Sequence, residues 1–149
     1  MRDIILDTPP TNRILVAEDD ALIMRMVTAI LEGENYVVVP AFDGREAYKI
    51  LQSDANFVGA IFDMNMPHLK GLDIINHMQT ERRLKRIPVM MMTAEHDYAL
   101  CSTIISAGAA LFLPKPFSPT QMQMMLHLLT SRCAGYLNKK PNPLRALAA

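Results

Sequence analysis

At 149 residues, half of them apolar and a fifth charged, the chain has the size and composition of one globular domain. Its 15 basic and 15 acidic side chains cancel, which removes the charge argument for a nucleic-acid or membrane-surface partner. Two cysteines are too few for a disulfide scaffold, the apolar triplet Ile4 to Leu6 is too short for a signal peptide, and no stretch approaches the ~20 apolar residues of a membrane span.

A cytoplasmic protein with reduced thiols is therefore expected. Residues 1–12, with Thr8-Pro9-Pro10, read as a flexible leader. The first apolar run, Ile14 to Ala17, exits into Glu18-Asp19-Asp20, with Asp20 as the N-cap of a helix that puts Leu22, Met26, Ala29 and Ile30 on one face. The second run, Tyr36 to Ala41, contains Pro40 and so suits a sheet edge. Asp43-Gly44 then opens a helix carrying Ala47, Ile50 and Leu51 on its apolar side.

The third run, Phe57 to Phe62, ends in Asp63, and Gly71 precedes a helix with Leu72, Ile75 and Met78 in phase. The basic stretch Arg82 to Arg86 reads as a solvated loop ahead of the fourth run, Ile87 to Met92, which exits into Thr93. Leu100, Ile104 and Ala107 mark the fourth helical segment, closed by Gly108. The fifth run, Ala109 to Leu113, leads through Pro114 to Lys115, and Ser118-Pro119 starts a fifth helical segment with Met122, Met125, Leu126 and Leu129 inward. Residues 134–149 are too short to fold as a DNA-binding domain and read as a disordered tail, leaving 13–133 as the folded unit.

Apolar runs that are continuous rather than alternating fit strands covered on both faces. Five βα repeats predict an α/β fold, a doubly wound five-stranded parallel sheet. Such sheets place function beyond the carboxyl ends of their strands. There the chain collects Glu18, Asp19, Asp63, Thr93 and Lys115, one group or pair after four of the five strands.

Clustered carboxylates repel one another unless a cation joins them. Hard oxygen donors suit Mg²⁺ (or Mn²⁺), which takes one or two carboxylates and completes its shell with water and phosphate oxygens. An aspartate beside such an ion can attack a phosphoryl group, with a lysine and a hydroxyl offsetting the accumulating negative charge. The residue types thus point to an aspartyl phosphate formed on Asp63.

These motifs together resemble the receiver domains of two-component response regulators, (βα)5 domains of the flavodoxin-like class typified by chemotaxis receivers. "ILVAEDD" is similar to the family's first strand and acidic pair, "DMNMPHLKG" to its phosphoacceptor segment, "MMTA" to its switch hydroxyl and "LFLPKPF" to its lysine-proline strand end. The resemblance spans Arg13 to Arg132. It implies phosphorylation of Asp63 by a histidine kinase or histidine phosphotransfer protein. It also implies Mg²⁺ held by Asp19, Asp63 and the backbone carbonyl of Asn65, with Glu18 reaching the ion through water. Lys115 would pair with the phosphoryl group, Thr93 would move toward it, Phe112 would turn inward behind it, and Lys115–Pro116 would be a cis peptide. Asn65 and Glu95 would border the attacking water and tune the lifetime of the phosphorylated state.

The output implied is a protein partner bound at the fourth helical segment, fifth strand and fifth helical segment. No direct nucleic-acid binding and no membrane insertion are expected, and a homodimer is left open. The family is a signalling phosphoacceptor, with self-catalysed phosphorylation and dephosphorylation, rather than an enzyme acting on a separate substrate. Three alternatives stay open: a receiver excised from a longer regulator, a phosphate-independent interaction domain, and a haloacid-dehalogenase-type phosphohydrolase. The hydrolase is disfavoured by asparagine at position 65, where that family has a second aspartate.

Overall fold

The computed structural model describes residues 12–94 and 98–130, without the side chain of Tyr98. The leader, apart from Asn12, and the tail lie outside these residues. Five strands, β1 (Arg13–Ala17), β2 (Val37–Ala41), β3 (Gly59–Asp63), β4 (Val89–Thr93) and β5 (Leu111–Pro114), form one parallel sheet in the order β2-β1-β3-β4-β5. The helices are α1 (Ala21–Gly33), α2 (Gly44–Ser53), α3 (Gly71–Met78), α4 (Arg82–Lys85), α5 (Tyr98–Ser106) and α6 (Pro119–Thr130). This is the doubly wound α/β architecture the repeat pattern predicts.

Successive residues of a strand face opposite sides, so each apolar run supplies two cores. Leu15, Ala17, Ala60, Phe62 and Met91 pack with Ala47, Leu51, Ile74, Ile75 and Ile104, under α2, α3 and α5. Ile14, Val16, Ile61, Met90 and Met92 pack with Met24, Val27, Leu31, Met122 and Leu126, under α1 and α6. Burial of this kind is worth roughly 1.5–3 kcal/mol for each large side chain and is what holds the layers together.

The edge position of β2 follows from its backbone. Val37 N–H donates to Asn12 O at 2.9 Å, so odd-numbered residues of β2 turn their amides toward β1 and the missing N–H of Pro40 faces the open edge. Every ladder bond on the inner side survives.

Three sequence expectations are corrected. The inward face of α1 is Met24, Val27 and Leu31, whereas Leu22 is 72% exposed and Ala29 lies outside. The segment is apolar nearly all round, so periodicity alone offers several faces and only docking on the sheet selects one. Arg82 to Lys85 form the short helix α4, not a loop, anchored by Leu84 with its cations outside. Strands β3, β4 and β5 each begin two residues later than the apolar runs, because Phe57, Ile87 and Ala109 are buried by packing before the ladder starts.

Candidate functional site

The sheet order reverses between β2 and β3: the chain leaves β1 to one side for β2 and returns to its other side for β3. The carboxyl ends of β1 and β3 therefore open onto a crevice with no crossover above it. Ala17 is in register with Phe62, Asp63 with Met92, and Thr93 with Pro114, so the residues leaving four strands arrive at one level.

The backbone of Glu18 extends the β1–β2 ladder, its N–H donating to Ala41 O at 3.0 Å. Its carboxylate is fully buried and accepts from Asp20 N–H at 3.0 Å. Asp20 faces away, capping α1 by accepting from the N–H groups of Leu22 and Ile23 at 2.9 and 3.2 Å. Asp19, between them, is exposed at the crevice mouth. Among the described residues, Glu18, Asp19 and Asp63 form a group whose ligand oxygens lie within 4.8 Å of one another.

Lys115 completes the set. Its ammonium donates to Glu18 Oε1 at 2.9 Å and to Asp63 Oδ1 at 3.1 Å, with the lysine side chain 18% exposed. The Lys115–Pro116 peptide is cis, and Lys115 N–H donates to Thr93 O, tying the lysine to the strand end that carries the buried threonine.

Burial raises the Asp63 and Glu18 carboxyl groups above their ordinary values, and the nearby ammonium only partly opposes it. Burial works against the Lys115 charge too, but the hydrogen bonds and charges of Glu18 and Asp63 outweigh it and hold the ammonium above its ordinary value. Two buried carboxylates share one cation, with a third acid beside them. An all-oxygen, net-negative cluster of this size is the donor set a hard divalent cation takes.

The loop after Asp63 is closely seated. Met64 N–H donates to Met92 O at 2.8 Å and Gly71 N–H to Met64 O at 3.3 Å, while Met64 and Met66 turn into the core on either side of exposed Asn65. A Cβ on Gly71 would sit 2.5 Å from Asp63 O and 2.9 Å from Met91 Sδ, so only glycine lets α3 start this close to the aspartate. His68 adopts φ 71°, a left-handed conformation uncommon for a residue other than glycine.

Of the residues singled out in the sequence, Glu18, Asp19, Asp63 and Lys115 come together, with Thr93 at the same strand level. Phe112 is half-buried on β5 against the core under α5. Glu95 lies outside the described residues. Among the described residues no histidine joins the cluster: His77 lies 2.9 Å from Glu81 and His127 3.1 Å from Glu34, both away from the crevice, and His96 lies outside the described residues. Sequence reasoning missed the close seating of Gly71; the glycine itself was the available signal.

The family model for the response regulator receiver domain matches residues 14–127. Chemotaxis protein CheY1 of Helicobacter pylori is 31% identical over 118 residues, which cover 78% of this chain and 95% of the relative. The transcriptional regulatory protein TctD of Salmonella typhimurium is 30% identical over 127 residues, covering 85% of this chain and 55% of that protein. Among solved structures, chemotaxis response regulator CheY4 of Vibrio cholerae matches with a TM-score of 0.75 at 29% identity, over 80% of this chain and 98% of that one. The receiver domain of a Pseudomonas aeruginosa sensor histidine kinase, with a magnesium ion coordinated in its active site cleft, shares the fold with a TM-score of 0.73 at 22% identity, over 80% of this chain and 98% of that one.

Proposed function

Because the chain belongs to the response regulator receiver family of two-component systems, we propose that it is a Mg²⁺-dependent phosphoacceptor whose acceptor is Asp63. The observation that carries this reading is the Lys115 bridge to Asp63 and Glu18 inside a three-carboxylate group at the carboxyl end of the sheet. Asp19, Asp63 and the Asn65 carbonyl would hold the ion, with Glu18 reaching it through water, and its charge would neutralise the acids and the incoming phosphoryl oxygens. In the Pseudomonas aeruginosa receiver domain of the same fold, a magnesium ion is coordinated in the active site cleft.

In the transfer, a carboxylate oxygen of Asp63 forms a bond to phosphorus as the P–N bond of a phosphohistidine on a histidine kinase or phosphotransfer protein breaks. The imidazole keeps the electron pair. Lys115 Nζ already touches Asp63 Oδ1 and follows the charge onto the phosphoryl group, while the Thr93 hydroxyl donates to a phosphoryl oxygen. Thr93 and half-buried Phe112 then bias the face formed by α5, β5 and α6 toward a protein target. Asn65 and, on the family resemblance, Glu95 would tune the hydrolysis of the acyl phosphate, in a self-catalysed cycle that turns over no separate substrate. A cytoplasmic location suits this role, and among the described residues no helix is long and apolar enough to cross a membrane.

Intact-protein mass after incubation with acetyl phosphate tests the reading. Wild type with Mg²⁺ should gain one labile phosphoryl group, and removing Mg²⁺ or substituting Asp63→Asn should each abolish it. Turnover of phosphate monoesters without an adduct would instead establish a hydrolase; neither adduct nor turnover would leave a phosphate-independent binding module.

A further inference from the structure

Asp43-Gly44 opens α2, far in sequence from the acceptor loop, yet the two meet. A Cβ built on Gly44 would lie 1.6 Å from Leu69 O, 2.5 Å from the Leu69 carbonyl carbon and 2.9 Å from Leu69 Cβ. No side-chain rotation relieves such an overlap, since two of the three atoms are backbone. Gly44 has no left-handed φ that would demand glycine, and alanine would be the better helix former by up to about 1 kcal/mol. Helix capping does not explain the glycine either. Asp43 Oδ1 accepts from Glu46 N–H at 2.8 Å and Glu46 Oε1 from Phe42 N–H at 2.6 Å, so the first turn is capped by its own side chains.

What the missing side chain provides is room for the Leu69 carbonyl. The loop from Met64 to Gly71 has little slack: Met64 N–H is fixed to Met92 O, Gly71 N–H to Met64 O, and Leu69 N–H to Pro67 O at 2.8 Å, with His68 held at φ 71°. A displacement at Leu69 therefore travels along the loop toward Asn65 and Asp63. We propose that Gly44 is a positioning residue for the cation site: by seating the Leu69 carbonyl against α2 it sets where the Asn65 carbonyl and the Asp63 carboxylate stand.

This rests on the phosphoacceptor reading only for its consequence in phosphorylation; cation affinity tests it separately. The experiment compares wild type, Gly44→Ala and Gly33→Ala, since a Cβ at Gly33 meets nothing within 4 Å. For each, Mn²⁺ affinity is titrated by the electron paramagnetic resonance of free Mn²⁺, melting is followed without metal, and phosphorylation by acetyl phosphate is timed. Gly44→Ala should fold yet bind Mn²⁺ roughly tenfold more weakly, as loss of a supporting contact to a metal ligand does, while Gly33→Ala matches wild type.

A folded Gly44→Ala with wild-type Mn²⁺ affinity overturns the proposal, as does a wild type that binds no Mn²⁺. If wild type binds Mn²⁺ but takes no phosphoryl group, the phosphoacceptor reading fails and the affinity comparison still decides the seat. Should Gly44→Ala fail to fold, the wild-type amide spectrum decides. Mg²⁺ should then shift the Gly44 and Leu69 resonances and leave Gly33 in place, and unmoved Gly44 and Leu69 resonances reject the seat.

Discussion

Two charged clusters sit at opposite ends of the same sheet and are built on opposite principles. At the amino end, among the described residues, Arg13 meets Asp54, with guanidinium nitrogens 3.1 and 2.8 Å from its two carboxylate oxygens and a further bond to Asn56 O at 3.0 Å. The Arg13 hydrogen bond lowers the Asp54 carboxyl, and the same bond raises the Arg13 guanidinium. At the carboxyl end, one ammonium serves two buried carboxylates, which burial raises. Among the described residues the Arg13–Asp54 pair is matched in charge and half-exposed, and it belongs to the architecture. An unmatched, buried one leaves charge to be answered by something that binds, and that imbalance marks the site.

Removing the one cation of the unmatched cluster should have the largest effect. Lys115→Met leaves Glu18 and Asp63 buried without an ammonium, and without divalent metal at neutral pH it should destabilise the fold by about 3 kcal/mol. The pH dependence has a definite sign. Both carboxyl groups already stand above their unfolded values, and losing the ammonium raises them further, so the folded state binds more protons than the unfolded one. Stability should therefore recover as pH falls toward the raised carboxyl values, and also on adding Mg²⁺. Urea melts at neutral and mildly acidic pH, with and without Mg²⁺, would read this; a variant as stable as wild type under all conditions would mean the cluster carries no unmet charge.

The converse substitution removes an acid instead of the cation. Asp63→Asn leaves Lys115 paired with Glu18, so without metal it should stabilise by about 1 kcal/mol, roughly 4 °C in melting temperature for a domain of this size. Saturating Mg²⁺ should invert the order, because a ligand at a hundred times its dissociation constant adds about 2.7 kcal/mol to whichever form binds it. Circular dichroism melts with and without Mg²⁺ test the crossing; the same order in both conditions would break the argument that unmet charge is held ready for a cation.

How far the sequence reveals each cluster follows from the range of the interactions. Glu18, Asp63, Thr93 and Lys115 were legible because each follows an apolar run, and a parallel sheet brings the carboxyl ends of its strands together whatever its details. Asp20 as a cap was legible from local chemistry, as was the edge position of Pro40. The Arg13–Asp54 pair was not, since Arg13 merely precedes an apolar run and Asp54 merely follows a helix. Nor was the face of α1, where an apolar surface all round leaves the choice to the sheet, nor the seat of Leu69 on Gly44, which depends on a loop path that no pattern encodes.

The matched pair should yield the smallest effect, and Asp54→Asn isolates it better than any change at Arg13. The Arg13 guanidinium also lies 4.7 Å from the centroid of the Phe57 ring and donates to Asn56 O, so truncating it removes packing as well as charge. Asparagine keeps the size of the aspartate and removes its charge, and its one amide oxygen can still accept from Asn56 N–H, as Asp54 Oδ1 does at 2.9 Å. With side chains 30% and 31% exposed, solvent screens the pair, and its loss should cost under about 1 kcal/mol, shrinking further in high salt. Because the folded Asp54 carboxyl lies below its ordinary value of 3.8, the contribution is present above that value and fades as pH falls through the lower folded one. Urea melts of wild type and Asp54→Asn should therefore converge in acid, whereas wild type and Lys115→Met converge there because the variant gains. If Asp54→Asn instead gained stability relative to wild type at neutral pH, the amino-end pair would be carrying unmet charge too, and imbalance would no longer distinguish the site from the scaffold.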